Sequence, residues 1–227
     1  MPNSVHDSGM SVRVWDLPLR VFHWLLASSV LGSVLSVKLG EMEIHGWLGL
    51  FALSLLLFRL FWGFWGSEPA RFRSFLVSPL TTLRYLRSPW PSLGHNPLGA
   101  WSVLALLGLF SLQALTGLGT SDDIFFDGPL VAHLSGEWVG RLGWVHTATE
   151  PLLYGLVALH VLAIVAYRAL KKESLLPPMI HGDKELTAGE FSPVSAARDD
   201  AAFRWRGLLT YLVALALVLI ANAYLSL

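Results

Sequence analysis

Cysteine is absent from these 227 residues. That removes disulfides, thiolate iron–sulfur clusters, thiolate zinc sites and the Cys-x-x-Cys-His attachment of c-type haem. Charge is scarce as well. Asp, Glu, Lys and Arg make up 14% of the chain, and 16 acidic against 16 basic side chains leave a net charge of zero. With no basic excess there is no electrostatic footprint for nucleic acid. Apolar residues supply 54% of the chain and mean hydropathy is +0.55, more than a soluble globule of this size could hide behind a polar exterior. The composition is that of a membrane protein in contact with lipid. Any redox cofactor must be held by histidine, methionine or a carboxylate, and eight histidines are present.

A helix crossing about 30 Å of hydrocarbon needs roughly 20 mostly apolar residues. Five stretches qualify: Val21 to Gly40, His45 to Trp65, Leu98 to Leu118, Leu142 to Tyr167 and Leu208 to Leu225. Asn96 and Pro97 give the third a capped start. The expected fold is an all-α integral membrane protein, a four-helix bundle plus a fifth C-terminal helix. Residues 1–184 form the bundle domain, 185–206 a cytoplasmic linker and 207–227 the last span. Lys and Arg gather on one side, from Arg13 and Arg20 through Arg71, Arg84, Arg168 and Lys184 to Arg206. Only Lys38 and Arg141 lie opposite, among Glu41, Glu43, Asp122, Asp123, Asp127 and Glu137. The positive-inside rule therefore expects a cytoplasmic N-terminus and a C-terminus outside. Trp15, Trp24, Trp47, Trp62, Trp65, Trp101, Trp138 and Trp144 fall near span ends, the expected place for an interfacial aromatic belt. The first span lacks a small-residue cleavage site after its apolar run and is read as retained. No internal repeat or low-complexity run is evident.

Ligating side chains inside a bilayer are costly, which makes His23, His45, His146 and His160 functional candidates. Fourteen residues separate His146 from His160, nearly four helical turns, so their imidazoles lie within about 40° of one face and ~21 Å apart. Depth then sorts the four into an inner pair, His23 with His160, and an outer pair, His45 with His146. Two b-type haems with both axial positions filled need two opposed imidazoles each, and facing helices supply them. Filled positions suit electron transfer better than oxygen chemistry. A lone membrane histidine is as well explained by an interhelical hydrogen bond, and it is the matched pairs that favour haem. His95, as inner ligand, and His133, as outer ligand, remain rival pairings. Otherwise His95 is a turn residue or a propionate or quinone contact, and His133, His181 and His6 are solvated. Arg59 sits fourteen residues after His45, at inner depth. It either snorkels to the interface or pairs with a haem propionate, and Arg20 is a similar cofactor-binding candidate. Gly32, Gly49 and Gly155 admit either a flat macrocycle or a close helix.

The run Val14-Trp15-Asp16-Leu17-Pro18-Leu19-Arg20-Val21-Phe22-His23-Trp24 resembles the opening of the prokaryotic cytochrome b561 family, which includes the b-type cytochrome subunits of nickel–iron hydrogenases. Further matches follow in order: His45-Gly46-Trp47-Leu48-Gly49, Phe58-Arg59-Leu60-Phe61-Trp62-Gly63-Phe64, Ala70-Arg71-Phe72, Gly94-His95-Asn96-Pro97-Leu98-Gly99, Thr116-Gly117-Leu118, Gly128-Pro129-Leu130 and His160 with Met179-Ile180. The resemblance spans about residues 12 to 184. It implies a bacterial inner-membrane bundle with two non-covalent haems on His23, His45, His146 and His160. It also implies electron exchange between membrane quinone and a periplasmic c-type cytochrome or hydrogenase. A quinone site is expected near His23, Trp24 and Arg59. The fifth helix departs from the plain four-helix pattern and leaves the partner open, as does the oligomeric state. Two other functions stay open on the residues: a catalytic oxidoreductase acting on superoxide or ferric iron, and a non-redox transporter or assembly anchor.

Overall fold

A computed structural model of the chain describes residues 10–85, 87, 93–124, 126–186 and 195–226; His6 and part of the linker, 187–194, lie outside them. Long helices dominate. They are α1 (Leu17–Leu39), α2 (Met42–Trp65), α5 (Pro97–Gly117), α6 (Gly136–Ala166) and α8 (Ala201–Leu225), all long and apolar enough to cross a bilayer. Short helices connect them: α3 (Phe72–Phe75), α4 (Pro79–Tyr85) and α7 (Leu176–His181). At about 1.5 Å per residue, the 23 residues of α1 span ~35 Å, enough to cross the hydrocarbon.

Local chemistry sets the helix starts. Asp16 caps α1 by accepting the Leu19 amide at 2.8 Å, with Pro18 in the first turn. Asn96 caps α5 through the Gly99 amide at 2.8 Å, ahead of Pro97. Asp200 caps α8 through Phe203 at 3.0 Å. Gly40 ends α1 at φ +79°, a conformation that costs glycine nothing, and the chain turns at once into α2. Helices start ahead of the expected spans: α1 at Leu17, α2 at Met42 and, furthest ahead, α6 at Gly136 and α8 at Ala201. Hydropathy marks hydrocarbon, whereas a helix continues into water until a cap stops it.

Two four-residue strands, which the all-α expectation did not contain, close the basic end. Strand β1 (Met10–Arg13) pairs antiparallel with β2 (Asp183–Leu186), Arg13 opposite Asp183. The following segment is pinned to them. Ala197 donates its amide to the Arg13 carbonyl at 2.7 Å, and Asp199 accepts the Leu17 amide at 3.0 Å.

The buried hydrophobic core lies in one half. Val14, Leu19, Phe22, Leu55, Phe58, Trp62, Phe203 and Ala214 form a core between α1, α2 and α8. A Cβ at Gly207 would stand 2.4 Å from Pro18, so glycine brings α8 onto α1. The helix that the sequence set apart is thus packed into the bundle. Trp15 and Trp62 belong to this core, at 7% and 0% exposure, and not to an interfacial belt. The Trp62 indole reaches Asp16 instead of water. Helix α6, by contrast, packs closely on α5 alone among the long helices and stands back from α1 and α2.

Candidate functional site: two facing histidine pairs

Although α6 stands back, its two histidines face partners across the gap. His45 on α2 and His146 on α6 have ring centres 6.2 Å apart; His23 on α1 and His160 on α6 are 6.5 Å apart. A metal–nitrogen distance of about 2 Å, with roughly 1.2 Å from nitrogen to ring centre, puts two imidazoles that share one iron ~6.3 Å apart. Both separations match. Among the described residues no three histidine or carboxylate side chains converge. Two ligands per site, with room between them, fit a macrocycle that supplies the other four donors.

The outer pair is oriented by backbone. His45 Nδ1 donates to the Ser33 carbonyl on α1 at 3.1 Å, and His146 Nδ1 donates to the Gln113 carbonyl on α5 at 3.0 Å. A ring nitrogen facing a carbonyl oxygen must carry the proton, which leaves Nε2 bare on both rings. Gln113 also grips α6 from its side chain. Its Nε2 donates to the His146 carbonyl at 3.0 Å, and its Oε1 accepts from Thr149 at 2.7 Å. At Gly117 a Cβ would lie 3.0 Å from His146 Cε1, so glycine lets the imidazole sit against α5. A cavity of about 490 Å³ opens beside the pair, within the range of small-molecule sites. Gly49 lines it with nothing within 4 Å of its missing Cβ, and Asn222 and Ser226 from the end of α8 also line it. Gly155 likewise faces open space, whereas Gly32 packs on Leu48.

An arginine lies at the level of the inner pair: the charges of Arg59 and His160 both act on His95. Arg59 is 2% exposed, so it does not snorkel to water, and among the described residues neither terminal nitrogen has a hydrogen-bond partner. Its guanidinium lies 4.8 Å over the Phe72 ring. A buried cation without an acceptor is expensive, and an anionic group such as a haem propionate fits the position. The carboxylate whose charge acts on Arg59 is Asp16, whose oxygens are engaged elsewhere by the Leu19 amide, the Trp62 indole at 3.1 Å and the Ser67 hydroxyl. Burial nevertheless pushes the Asp16 pKa above its usual 3.8, outweighing those hydrogen bonds. Arg20 is placed differently. Its Nη1 donates to the Ile180 carbonyl at 2.5 Å, and its Nη2 lies 3.7 Å from Asp199.

The other histidines have different ring and hydrogen-bond neighbours. His95 is sandwiched between Trp15 and Phe75, each ring centre 4.7 Å away. Burial, with the charges of Arg59 and His160, holds its pKa down at about 3. His133 Nε2 donates to the Leu225 carbonyl at 2.9 Å, and His181 accepts the Asp183 amide at 3.3 Å.

Three contributors escaped the sequence reading. The Ser33 carbonyl carries no sequence signal. Gln113 and Glu150 do: each is a rare polar or ionisable residue inside an apolar span, which is a sufficient reason to single it out.

The family model for prokaryotic cytochrome b561 matches residues 14–182, most of the chain and all four paired histidines. No curated protein and no solved structure matches.

Proposed function

The chain belongs to the prokaryotic cytochrome b561 family, and on that premise we propose a di-haem membrane cytochrome that carries electrons between the quinone pool and a periplasmic c-type cytochrome or hydrogenase. The family's b-type haem supplies a one-electron ferric–ferrous couple. One observation carries the count of two: facing imidazoles at 6.2 and 6.5 Å, fourteen residues apart on the same helix. His45 and His146 hold the outer haem through Nε2, with Ser33 and Gln113 fixing their tautomer. His23 and His160 hold the inner haem. Arg59 pairs with an inner propionate, and Arg20, tied to Asp199 and Ile180, holds α1 in place beside it.

Lys and Arg concentrate at the end bearing Arg13, Arg71 and Arg168, and this end faces the cytoplasm under the positive-inside rule, with the C-terminus outside. Quinone is taken near His23, Trp24 and Arg59. The electron partner meets the acidic loop from Asp122 to Glu137, where opposite charge favours encounter.

Purification from a haem-sufficient host tests the reading. The expected result is two extractable haems per chain. His160→Ala should delete one reduced-minus-oxidised component and His45→Ala the other. A colourless, folded, full-length protein defeats the proposal. So does a pair of variants in which His23→Ala and His146→Ala delete the same component.

A further inference from the structure

Charge is unequal about the two histidine pairs. Beside His45 and His146, the cavity is lined by Glu43, Asp122, Asp127 and Glu150, and among the described residues by no lysine or arginine. Glu43, Asp122 and Asp127 are exposed at the rim, where water and salt screen them. Glu150 is half-buried, one helical turn beyond His146, and accepts the Tyr154 hydroxyl. The cations of that end do not offset it. Lys38 is exposed in the last turn of α1, and Arg141 is paired with Glu137 at 2.5 Å.

Beside His23 and His160 the sign reverses. Arg59, whose charge like that of His160 acts on His95, is buried with both terminal nitrogens unpartnered among the described residues. Asp16, the carboxylate that opposes it, is surrounded by three hydrogen-bond donors of its own. Of the remaining charges of that end, Arg13, Arg20 and Arg204 converge on Asp199, and Arg13 also meets Asp183.

An oxidised haem iron carries one more positive charge than a reduced one. A nearby carboxylate therefore favours the oxidised form, and a buried guanidinium the reduced form, most strongly where the dielectric is low. Resting on the two-haem reading above, we infer that Glu150 and Arg59 hold the two centres at different potentials, lower at His45–His146 and higher at His23–His160. Glu150 is then a tuning residue that acts without ligating.

Mediated redox titration of the purified holoprotein, followed at the reduced α-bands, is the test. Each component is assigned by the ligand variant that deletes it. The wild type should titrate in two waves, with the component lost in His45→Ala at the lower potential. Glu150→Gln should raise that wave and leave the other in place. Arg59→Gln should lower the other wave alone, and Arg59→Lys, which keeps the charge, should restore most of the shift. Equal potentials, the reverse order, or a Glu150→Gln protein whose lower wave does not move would overturn the inference. If either charge variant fails to assemble, the wild-type order decides. A preparation with fewer than two haems sinks the underlying di-haem reading instead.

Discussion

Replacing Asp16 tests how the basic end is held together. Its carboxylate is fully buried and accepts from three donors: the Leu19 amide that starts α1, the Trp62 indole near the end of α2 and the Ser67 hydroxyl beyond it. Asp16→Ala removes an N-cap, costing about 1 kcal/mol, and leaves two further buried donors unpaired at ~1–3 kcal/mol each. Relief of the carboxylate's own burial offsets part of this, so the net loss is about 3–4 kcal/mol. For a chain of this length that lowers the melting midpoint by roughly 10 °C. Asp16→Asn keeps an acceptor for Leu19 and one more donor, so it should cost only about 1 kcal/mol. The assay is a tryptophan-fluorescence melt of detergent-solubilised protein. An Asp16→Ala midpoint within about 2 °C of wild type would refute the hydrogen-bond account. Equal loss from both variants would also refute it, because it would assign the role to charge opposite Arg59. The pH dependence has a definite sign. Burial raises the Asp16 pKa above 3.8, so its contribution is fully present below that value and declines as pH rises through the folded-state value.

Three other perturbations probe separate parts of the molecule. Gly117→Val places branched carbon where even a Cβ stands 3.0 Å from His146, and should deplete the outer haem while sparing the inner, read from component-resolved difference spectra. Burial raises the Asp199 pKa, but the Arg204 hydrogen bonds, the Leu17 amide and the charges of Arg204 and Arg13 outweigh it and hold it below 3.8. The stability it contributes is therefore present above that pH and lost as pH falls through the folded value, and proteolytic cutting ahead of α8 should rise there in wild type but not in Asp199→Asn. Gly63→Ala sets a Cβ 2.0 Å from the Phe72 ring, costing about 1–3 kcal/mol in overpacking and moving Phe72 off Arg59, measurable as a lower melting midpoint and a shifted inner-haem spectrum.

The five spans were legible because twenty apolar residues in a row have few alternatives, and the Asn96 cap because its chemistry is local. The histidine pairs were legible for a related reason: helical spacing fixes depth, and depth limits which imidazoles can meet. Elements decided by distant parts of the chain were not. Strands β1 and β2 are four residues each and separated by most of the sequence, with no turn signal to link them. Asp16 is recognisable as a cap, but its choice of Trp62 and Ser67 follows from the packing of α1 on α2. Trp62 was misplaced in the aromatic belt for the same reason. Position near a span end puts a tryptophan at the right depth, but whether it faces lipid or protein is a tertiary question. Arg59 stood between snorkelling and pairing until its burial removed the route to water.

The fifth helix changes how the site is built. Had α8 been only an anchor, the inner site would rest on α1 and α2 alone, with Pro18, Phe58 and Trp62 facing lipid. Instead Gly207 admits Pro18, Phe203 packs on Trp62 with ring centres 5.0 Å apart, and Thr210 accepts the Trp65 indole at 3.3 Å. These contacts fix the end of α2 that carries Arg59, while Asp199 fixes the start of α1 that carries His23. Helix α6 has no such support from that side; it contributes one imidazole to each pair and packs closely only on α5. The α1–α2–α8 half of the molecule therefore presents His23, His45 and Arg59, and under the proposed function the gap that α6 leaves before them would take the haems. On this division of labour, the geometry of each histidine pair depends on both halves, whereas Arg59 comes from the α1–α2–α8 half alone.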